Sequence, residues 1–349
     1  MLILGIETAC DDTSAAIVED GHHVRSNVIW TQRDVHERWG GVMPELAARR
    51  HVEVMQAVIE EALSTAGVAF SDITAVGVNH KHGLLRSIVV GVSAAKAISY
   101  ALDIPLVGIH HIEGHIYSNL VAHPDIDFPH LCLTVSGGHN LLLHVLRHGE
   151  YDLIGRTLDD AAGEAYDKVA KMLGLGFPGG AIIDRLASEG DPTAYDFPRP
   201  MINRDDYDFS FSGLKTAVSV TLAKAAKMGA SVNQADIAAS FQAAVVDVLV
   251  AKTLRAARDT GVSTVTVAGG VAANSALRQR LAEAGEKHGF RVLWPTLPLC
   301  TDNGAMVATV AYYKYQAGIT SPLNINAYSS APIGSREIVY KPGKRKRTN

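Results

Sequence analysis

Residues 1–29 read MLILGIETACDDTSAAIVEDGHHVRSNVI, and residues 131–155 read LCLTVSGGHNLLLHVLRHGEYDLIG. Both follow one plan: an apolar run, a polar turn, a second run, a glycine turn and a third run. In the first stretch, Leu2–Glu7 predicts a strand, Asp11-Asp12-Thr13-Ser14 a turn, residues 15–18 a second strand and residues 24–29 a third, after Asp20-Gly21. In the second, residues 131–135, 141–146 and 151–155 are the strands, with Ser136-Gly137-Gly138-His139 as the first turn. Helix and strand then alternate after each stretch. Residues 44–67 carry Leu46, Val52, Met55, Ile59 and Leu63 at helical spacing and stop at Gly67. Residues 73–78 and 105–109 predict strands, and residues 85–102 and 112–121 helices. The second half adds helices at 161–173 and Gln234–Thr260, a strand at Thr264–Ala268, a helix after Asn274, a strand at 291–294 and a last helix from about Asp302 to Gln316.

The repeated β-β-β-α order predicts a duplicated α/β chain of two lobes, each a mixed sheet covered by helices, with a ligand cleft between them. The expected division is 1–125 for the first lobe and 126–335 for the second. A loop-rich insert is expected at about 174–216, where Gly, Pro and Asp are frequent, and a basic tail over 336–349, ending KPGKRKRTN. A chain of 349 residues suits two cores better than one. With 47% hydrophobic and 19% charged residues, a largely disordered chain is excluded. The formal net charge is -4, so nucleic-acid contacts have to come from a local patch or a partner. Cys10, Cys132 and Cys300 are too scattered for a disulfide framework, which points to a reducing, cytoplasmic compartment. The N-terminus lacks a basic leader, and Lys96 and Asp103 interrupt the longest apolar stretch, so neither a signal peptide nor a membrane span is expected.

His111 and His115 stand four apart at the start of a predicted helix, on one face, where they can share a metal. With 15 histidines in 349 residues, chance alone supplies roughly 0.6 such pairs, so the spacing is a weak motif by itself. Asp302 opens the last helix, where an N-cap is its simplest role; set across the cleft, it would complete a two-His, one-carboxylate set suited to Fe(II) or Zn(II). Three turns at strand ends suit an anionic ligand: Asp11-Asp12-Thr13, Ser136-Gly137-Gly138, and Gly269-Gly270-Val271 leading to a helix near Asn274. Asp160 is read as a helix cap with Glu164 in the first turn, and Asp167 as an exposed mid-helix acid or, if it faces the cleft, a ribose ligand. In DFSFSGLKT, the phenylalanines read as core and Lys215 as a surface charge.

Taken together, GIETACDDT, GGVMPELAARRH, HHIEGH, TVSGGH, TLDDAAGEAYDKVAKMLGLGFPGG, FPRPM, DFSFSGLKTAV, AGGVAANSALR and CTDNGAM resemble the TsaD/Gcp/Kae-type family of tRNA N6-adenosine threonylcarbamoyltransferases. The resemblance runs in order from Met1 to about Gly318. It implies the ASKHA fold of actin, hexokinase and Hsp70. It implies one Fe2+ or Zn2+ ion held by His111, His115 and Asp302. Thr134, Val135, Ser136, Gly137, Gly138, Asp167, Gly180, Asp184 and Asn274 match positions that hold the adenylate, and ATP or ADP would fit the same place. Asp11 matches an acid needed for activity. The implied reaction moves threonylcarbamoyl from threonylcarbamoyl-AMP to N6 of the adenosine 3′ of the anticodon, in tRNAs reading ANN codons. The implied partners are tRNA, a TsaB-like paralogue, a TsaE-like ATPase and a TsaC-like synthase that supplies the adenylate.

The chain departs from the family where GPGL is usual: Lys81-His82-Gly83-Leu84 stands there, followed by Leu85-Arg86. The departure bears on partner docking, since the following helix faces the paralogue in relatives. Ala9 for Ser and Ala181 for Pro are milder changes. Rival readings are a metal-dependent glycoprotein endopeptidase, which lacks a HExxH arrangement because Ile112 follows His111, an ASKHA-type kinase, and a scaffold that would have no need of the metal triad.

Overall fold

A computed structural model describes residues 1–334 and the backbone of Arg336–Glu337. The expected tail otherwise lies outside the described residues. In chain order the elements are β1 (Leu2–Glu7), β2 (Asp12–Glu19), β3 (His23–Thr31), α1 (Arg33–Glu37), α2 (Pro44–Ala66), β4 (Ala75–Lys81), α3 (Leu85–Leu102), β5 (Leu106–His110) and α4 (His111–Ala122). Then come β6 (His130–Val135), β7 (Asn140–Arg147), β8 (Glu150–Arg156), α5 (Ala162–Met172), α6 (Gly179–Ala187), α7 (Ser212–Lys227), α8 (Gln234–Thr260), β9 (Thr264–Ala268), α9 (Ser275–His288) and β10 (Arg291–Leu293). The chain closes with α10 (Leu297–Cys300), α11 (Gly304–Gln316) and β11 (Arg336–Glu337).

One sheet runs β3-β2-β1-β4-β5 and the other β10-β9-β6-β7-β8-β11. In each, the first strand pairs antiparallel with the second and parallel with the fourth, the second pairs antiparallel with the third, and the fourth parallel with the fifth. The duplication read from the two triple-strand stretches is therefore real. β1 and β6 sit centrally and are buried along almost their whole length, as strands covered on both faces must be.

The boundary between the two compact units differs from the expectation. The first holds Met1–Ile126 and also Trp294–Ile333, while the second holds Asp127–Leu293 with Gly334 and β11. The physical reason is α11. Residues 304–311 are all buried, which makes this a helix with no solvent face over that length. It lies against β1 through a glycine pair: a Cβ on Gly304 would come within 2.6 Å of Ala16 N and 2.8 Å of Gly5 O. A Cβ on Gly77 of β4 would likewise meet Ala311 Cβ at 2.5 Å. The following segment is stitched to the same sheet, with Ser321 Oγ accepting from Gly108 N and Tyr328 N donating to His80 O. Asp302 thus belongs to the unit of the two histidines, not to the opposite lobe.

Other local expectations are revised. The buried stripe of α2 is Ala47, His51, Met55, Val58, Ile59, Ala62, Leu63 and Ala66, so Val52, 66% exposed, faces outward. The insert at 174–216 is not all loop, since it contains α6 and the start of α7. Its long part is fastened to α8: Ser240 Oγ accepts from Tyr195 N, Asp247 takes Arg199 Nε, and Lys252 Nζ donates to the Arg204 and Asp206 carbonyls. By length and composition alone, α3 and α8 are both apolar enough to cross a membrane even with the charges that interrupt them; α8 is mostly buried, as a core helix is.

His130 opens β6 with 1% of its surface exposed. Burial pushes its imidazole down to about 4, outweighing a backbone hydrogen bond with Asp127, and His144 and His148 push the same way. The unfolded chain, with a pKa near 6.5, therefore binds more protons than the folded one between about pH 4 and 6.5. Stability should rise with pH across that window and be lost as pH falls through it, by up to about 3 kcal/mol. Urea unfolding at pH 7 and pH 4.5 measures the fall, which should be smaller in His130→Asn.

Candidate metal centre and ligand-binding residues

The metal candidates begin where β5 runs directly into α4. The side chain of His110 caps that helix, its Nδ1 accepting from Ile112 N at 3.1 Å. His111 and His115 are then one turn apart and buried, with ring centroids 4.7 Å from each other. Asp302 comes from the stretch just before α11. It is not the cap of that helix, because Asn303 fills the role and accepts from Met306 N at 2.9 Å. Asp302 is therefore left to point at the histidines, with Oδ1 3.3 Å from His115 Nε2 and 3.5 Å from His111 Nε2. One ligand atom from each of the three lies within 4.8 Å of the others.

This donor set fits a small divalent ion. Two ligands each about 2.1 Å from a tetrahedral ion stand about 3.4 Å apart, which is the spacing between Asp302 Oδ1 and the two imidazole nitrogens. The surroundings are acidic. Burial is the main force raising the carboxyls of Asp11 and Asp12, and Asp302 pushes both further, bringing Asp12 to about 7. The Cys10 thiol is raised well above its usual range by burial and by Asp11 and Asp302. For His111 burial works against the charged ring, but the Asp302 and Glu7 carboxylates outweigh it and push the imidazole up to about 9. A bound ion would compete with protons for these groups, so its binding should release protons.

The turn that carries Asp11 is braced from two sides. His51 of α2 has its Nδ1 2.7 Å from Thr13 Oγ1 and its Nε2 3.0 Å from Cys10 O. Gln32 N donates to Asp11 O at 3.1 Å. Sequence reading passed over His51, although it falls on the buried stripe of α2 at the 47, 51, 55 spacing. It also passed over Glu7, an acid closing an apolar strand, and Asn79, which ends the buried run of β4. A charge at the buried end of a strand was the available signal.

The second unit gathers the other candidates. Thr134 and Val135 are buried in β6, and Ser136 closes a tight turn, with its N donating to His139 O and its Oγ accepting from His139 N. Gly137 and Gly138 have open space where a Cβ would stand. Gly163 brings the start of α5 onto this turn, since a Cβ there would meet Ser136 O at 2.6 Å. Farther along α5, Asp167 is half-buried rather than exposed, and its Oδ1 accepts from Gly179 N at 2.7 Å. The neighbouring Gly180 is open on its Cβ side. Asp184 and Asn274 meet directly, with Asn274 Nδ2 3.1 Å from Asp184 Oδ1 and 2.7 Å from Gln242 Oε1. Asn274 Oδ1 caps α9 through Leu277 N.

Two expectations change here. The first free N–H of α9, on Ser275, donates to Asp184 Oδ2, so an internal carboxylate already takes a place expected for a phosphate. Asp160 does not cap α5, whose N-cap is Ala161; it pairs with Lys215 at 2.6 Å and Lys168 at 3.2 Å. Lys215 is thus an internal ion-pair partner rather than a free surface charge. Asp159 holds the DFSFSG loop, accepting from the hydroxyls of Ser210 and Ser212 and from the backbone N–H of Phe211 and Ser212.

Comparison with known proteins bears on the fold and the family. A solved structure, component A of the (R)-2-hydroxyglutaryl-CoA dehydratase of Acidaminococcus fermentans, superposes with a TM-score of 0.54 at 17% identity, covering 90% of this chain and 99% of that one. At that identity the likeness concerns the fold alone. Among relatives, the tRNA N6-adenosine threonylcarbamoyltransferase of Syntrophotalea carbinolica is 52% identical over 333 residues, 95% of this chain and 97% of its own. That of Desulfitobacterium hafniense is 51% identical over 325 residues, 93% of this chain and 95% of its own. The family described as TsaD, tRNA N6-adenosine threonylcarbamoyltransferase, matches residues 23–309. With its two β-β-β-α-β-α-β units in the ASKHA manner, the chain belongs to the TsaD family.

Proposed function

We propose that this enzyme transfers the threonylcarbamoyl group from threonylcarbamoyl-AMP to N6 of the adenosine at tRNA position 37, in tRNAs reading ANN codons. The observation that carries the reading is the convergence of His111, His115 and Asp302 in a chain half identical, over nearly its full length, to enzymes of that name. His111, His115 and Asp302 would hold Fe2+ or Zn2+. Such an ion, when bound, supplies Lewis acidity toward a carbonyl oxygen. The adenylate is assigned to Ser136–Gly138 with Thr134, Val135, Asp167, Gly180, Asp184 and Asn274, where the open faces of Gly137, Gly138 and Gly180 leave the backbone accessible.

In the reaction N6 attacks the carbamoyl carbon, the bond from that carbon to the phosphate oxygen breaks, AMP leaves, and N6 gives up a proton. The mixed anhydride is already activated, so the protein's main work is to orient it. Burial raises the Asp11 carboxyl, which strengthens it as a base, and we assign it the N6 proton or the shaping of its surroundings. With a net charge of -4, tRNA contacts are shared with partners, for which TsaB-like and TsaE-like subunits are the candidates in a cytoplasmic setting. A TsaC-like synthase would make the adenylate.

The test is reconstitution with unmodified tRNA, threonine, bicarbonate, ATP and those partner enzymes, followed by nucleoside analysis. Threonylcarbamoyladenosine should appear with the native chain, be lost with His111→Ala, and be strongly reduced with Asp11→Asn. Full modification by His111→Ala would overturn the metal reading, and nucleotide-independent cleavage of a glycoprotein would favour the endopeptidase instead.

A further inference from the structure

We infer that Glu7 is the positioning residue for His111, and that Asn79 ties it to the turn between β4 and α3. The inference rests on the reading of His111, His115 and Asp302 as ligands of one ion. Glu7 closes β1, and none of its surface is exposed. A carboxylate so placed is costly unless its oxygens are bonded. Oε1 accepts from Ala9 N at 2.6 Å and from Asn79 Nδ2 at 3.3 Å. Oε2 stands 3.2 Å from His111 Nδ1. The sheet does not need this side chain, since β1 is held by backbone pairing to β2 and β4.

The carboxylate selects the imidazole tautomer with the proton on Nδ1. The lone pair then lies on Nε2, the nitrogen that faces Asp302. Carboxylate partners of ligating histidines raise ligand basicity and lock the ring. His115 differs, because its Nδ1 is buried with no hydrogen-bond partner among the described residues. His111 is therefore the oriented ligand and His115 is placed by packing.

Asn79 extends the arrangement. Its Nδ2 also reaches His82 O at 3.3 Å, and its Oδ1 accepts from Lys81 N at 3.1 Å. The His82 ring in turn stacks on His110, centroid to centroid at 5.3 Å, beside the first ligand. Lys81 and His82 are the residues that replace the usual Gly-Pro. The stretch where the chain departs from the family pattern thus meets this arrangement at two places, by backbone hydrogen bonds of Lys81 N and His82 O with Asn79 and by the His82 ring on His110.

The test measures metal affinity of the full chain by chelator competition, with Zn2+ as the probe, alongside thermal unfolding of the metal-free protein. Glu7→Gln should weaken Zn2+ binding about 10- to 100-fold, and the metal-free unfolding midpoint, read in the same samples, should fall modestly because the charged His111 ring loses a buried carboxylate partner. Asn79→Ala should weaken binding less, by several-fold, on the order of the lower end of that range. Asp302→Ala serves as reference. If it binds Zn2+ as tightly as the native chain, the ligand assignment itself fails. If it loses the ion while Glu7→Gln keeps native affinity, the ligand set stands and the role of Glu7 is overturned. Should Glu7→Gln not fold, native affinity in Asn79→Ala overturns the inference instead.

Discussion

Asp302→Ala protein should purify with less than a tenth of the native metal content and lose threonylcarbamoyl transfer by at least about 100-fold. That size is the upper end of what losing a mere supporting partner of a metal ligand costs, and Asp302 is proposed as the third ligand itself. The substitution should leave the fold intact. Asp302 is not the cap of α11, since Asn303 holds that place, so the helix keeps its N-terminal hydrogen bond. Removing one of three acids that repel each other, Asp11, Asp12 and Asp302, also relieves the neighbouring carboxyls. Against this, the buried His111 ring loses the carboxylate that does most to keep it charged, so metal-free Asp302→Ala should stay folded with a midpoint close to that of the metal-free native chain. Metal analysis by mass spectrometry and a thermal scan of both proteins check the two halves of this expectation. A variant that lost metal only because it unfolded would show a lowered midpoint.

The second large effect is expected at Gly304. A methyl group there would meet Ala16 N at 2.6 Å, Ala15 C at 2.8 Å and Gly5 O at 2.8 Å. All three are backbone atoms of the sheet, and none can swing aside as a flexible side chain would. Gly5 presents the reciprocal restriction, because a methyl there would meet Ala308 N at 2.5 Å and would overlap Gly304 O as well. Overpacking commonly costs about 1–3 kcal/mol, and a clash with rigid backbone on both sides belongs at or above the top of that range. Gly304→Ala should lower the unfolding midpoint of the metal-free protein by about 10 °C. It should also weaken metal binding in whatever fraction stays folded. The relief available to α11 is to move off β1, and Asp302 lies two residues before it. Differential scanning calorimetry together with chelator competition separates the two effects.

This glycine contact also explains what could and could not be read from the sequence. The strand order was legible because each triple-strand stretch is local, with its turns and apolar runs adjacent in the chain. Strand and helix limits came close for the same reason, as at Leu2–Glu7 and Gln234–Thr260. The return of residues 294–333 to the first sheet was not legible. It depends on Gly5 and Gly304 fitting together across three hundred positions, and nothing in the local pattern of TDNGAM announces it. The metal triad was suggested by spacing for the histidines, whereas Asp302 entered through an expected place across the cleft, in the opposite lobe, and through the family resemblance. Its local pattern, an acid at a helix start, points to a cap. The structure gives that task to Asn303 one residue later, a shift too small for helix-start signals to resolve.

The supporting residues were harder still. His51 sits on the buried face of α2 and reads as core, yet both its ring nitrogens hold the Cys10–Thr13 turn. Gln242 is a buried polar residue among the apolar positions of α8, and only the folded chain brings its amide oxygen to Asn274. Lys215 reads as a surface charge because its partner, Asp160, is 55 positions away. In each case the partner is distant in sequence, so residue type and periodicity carry no sign of it.

The central claim is that two imidazoles and one carboxylate of the same unit hold a single ion. X-ray absorption at the metal edge of the purified, metal-loaded chain tests it most directly. The account predicts one ion per chain with two imidazole nitrogens at about 2.0–2.1 Å and oxygen ligands completing the shell. A shell containing sulfur, which would bring in Cys10, or one without imidazole scattering, would contradict it.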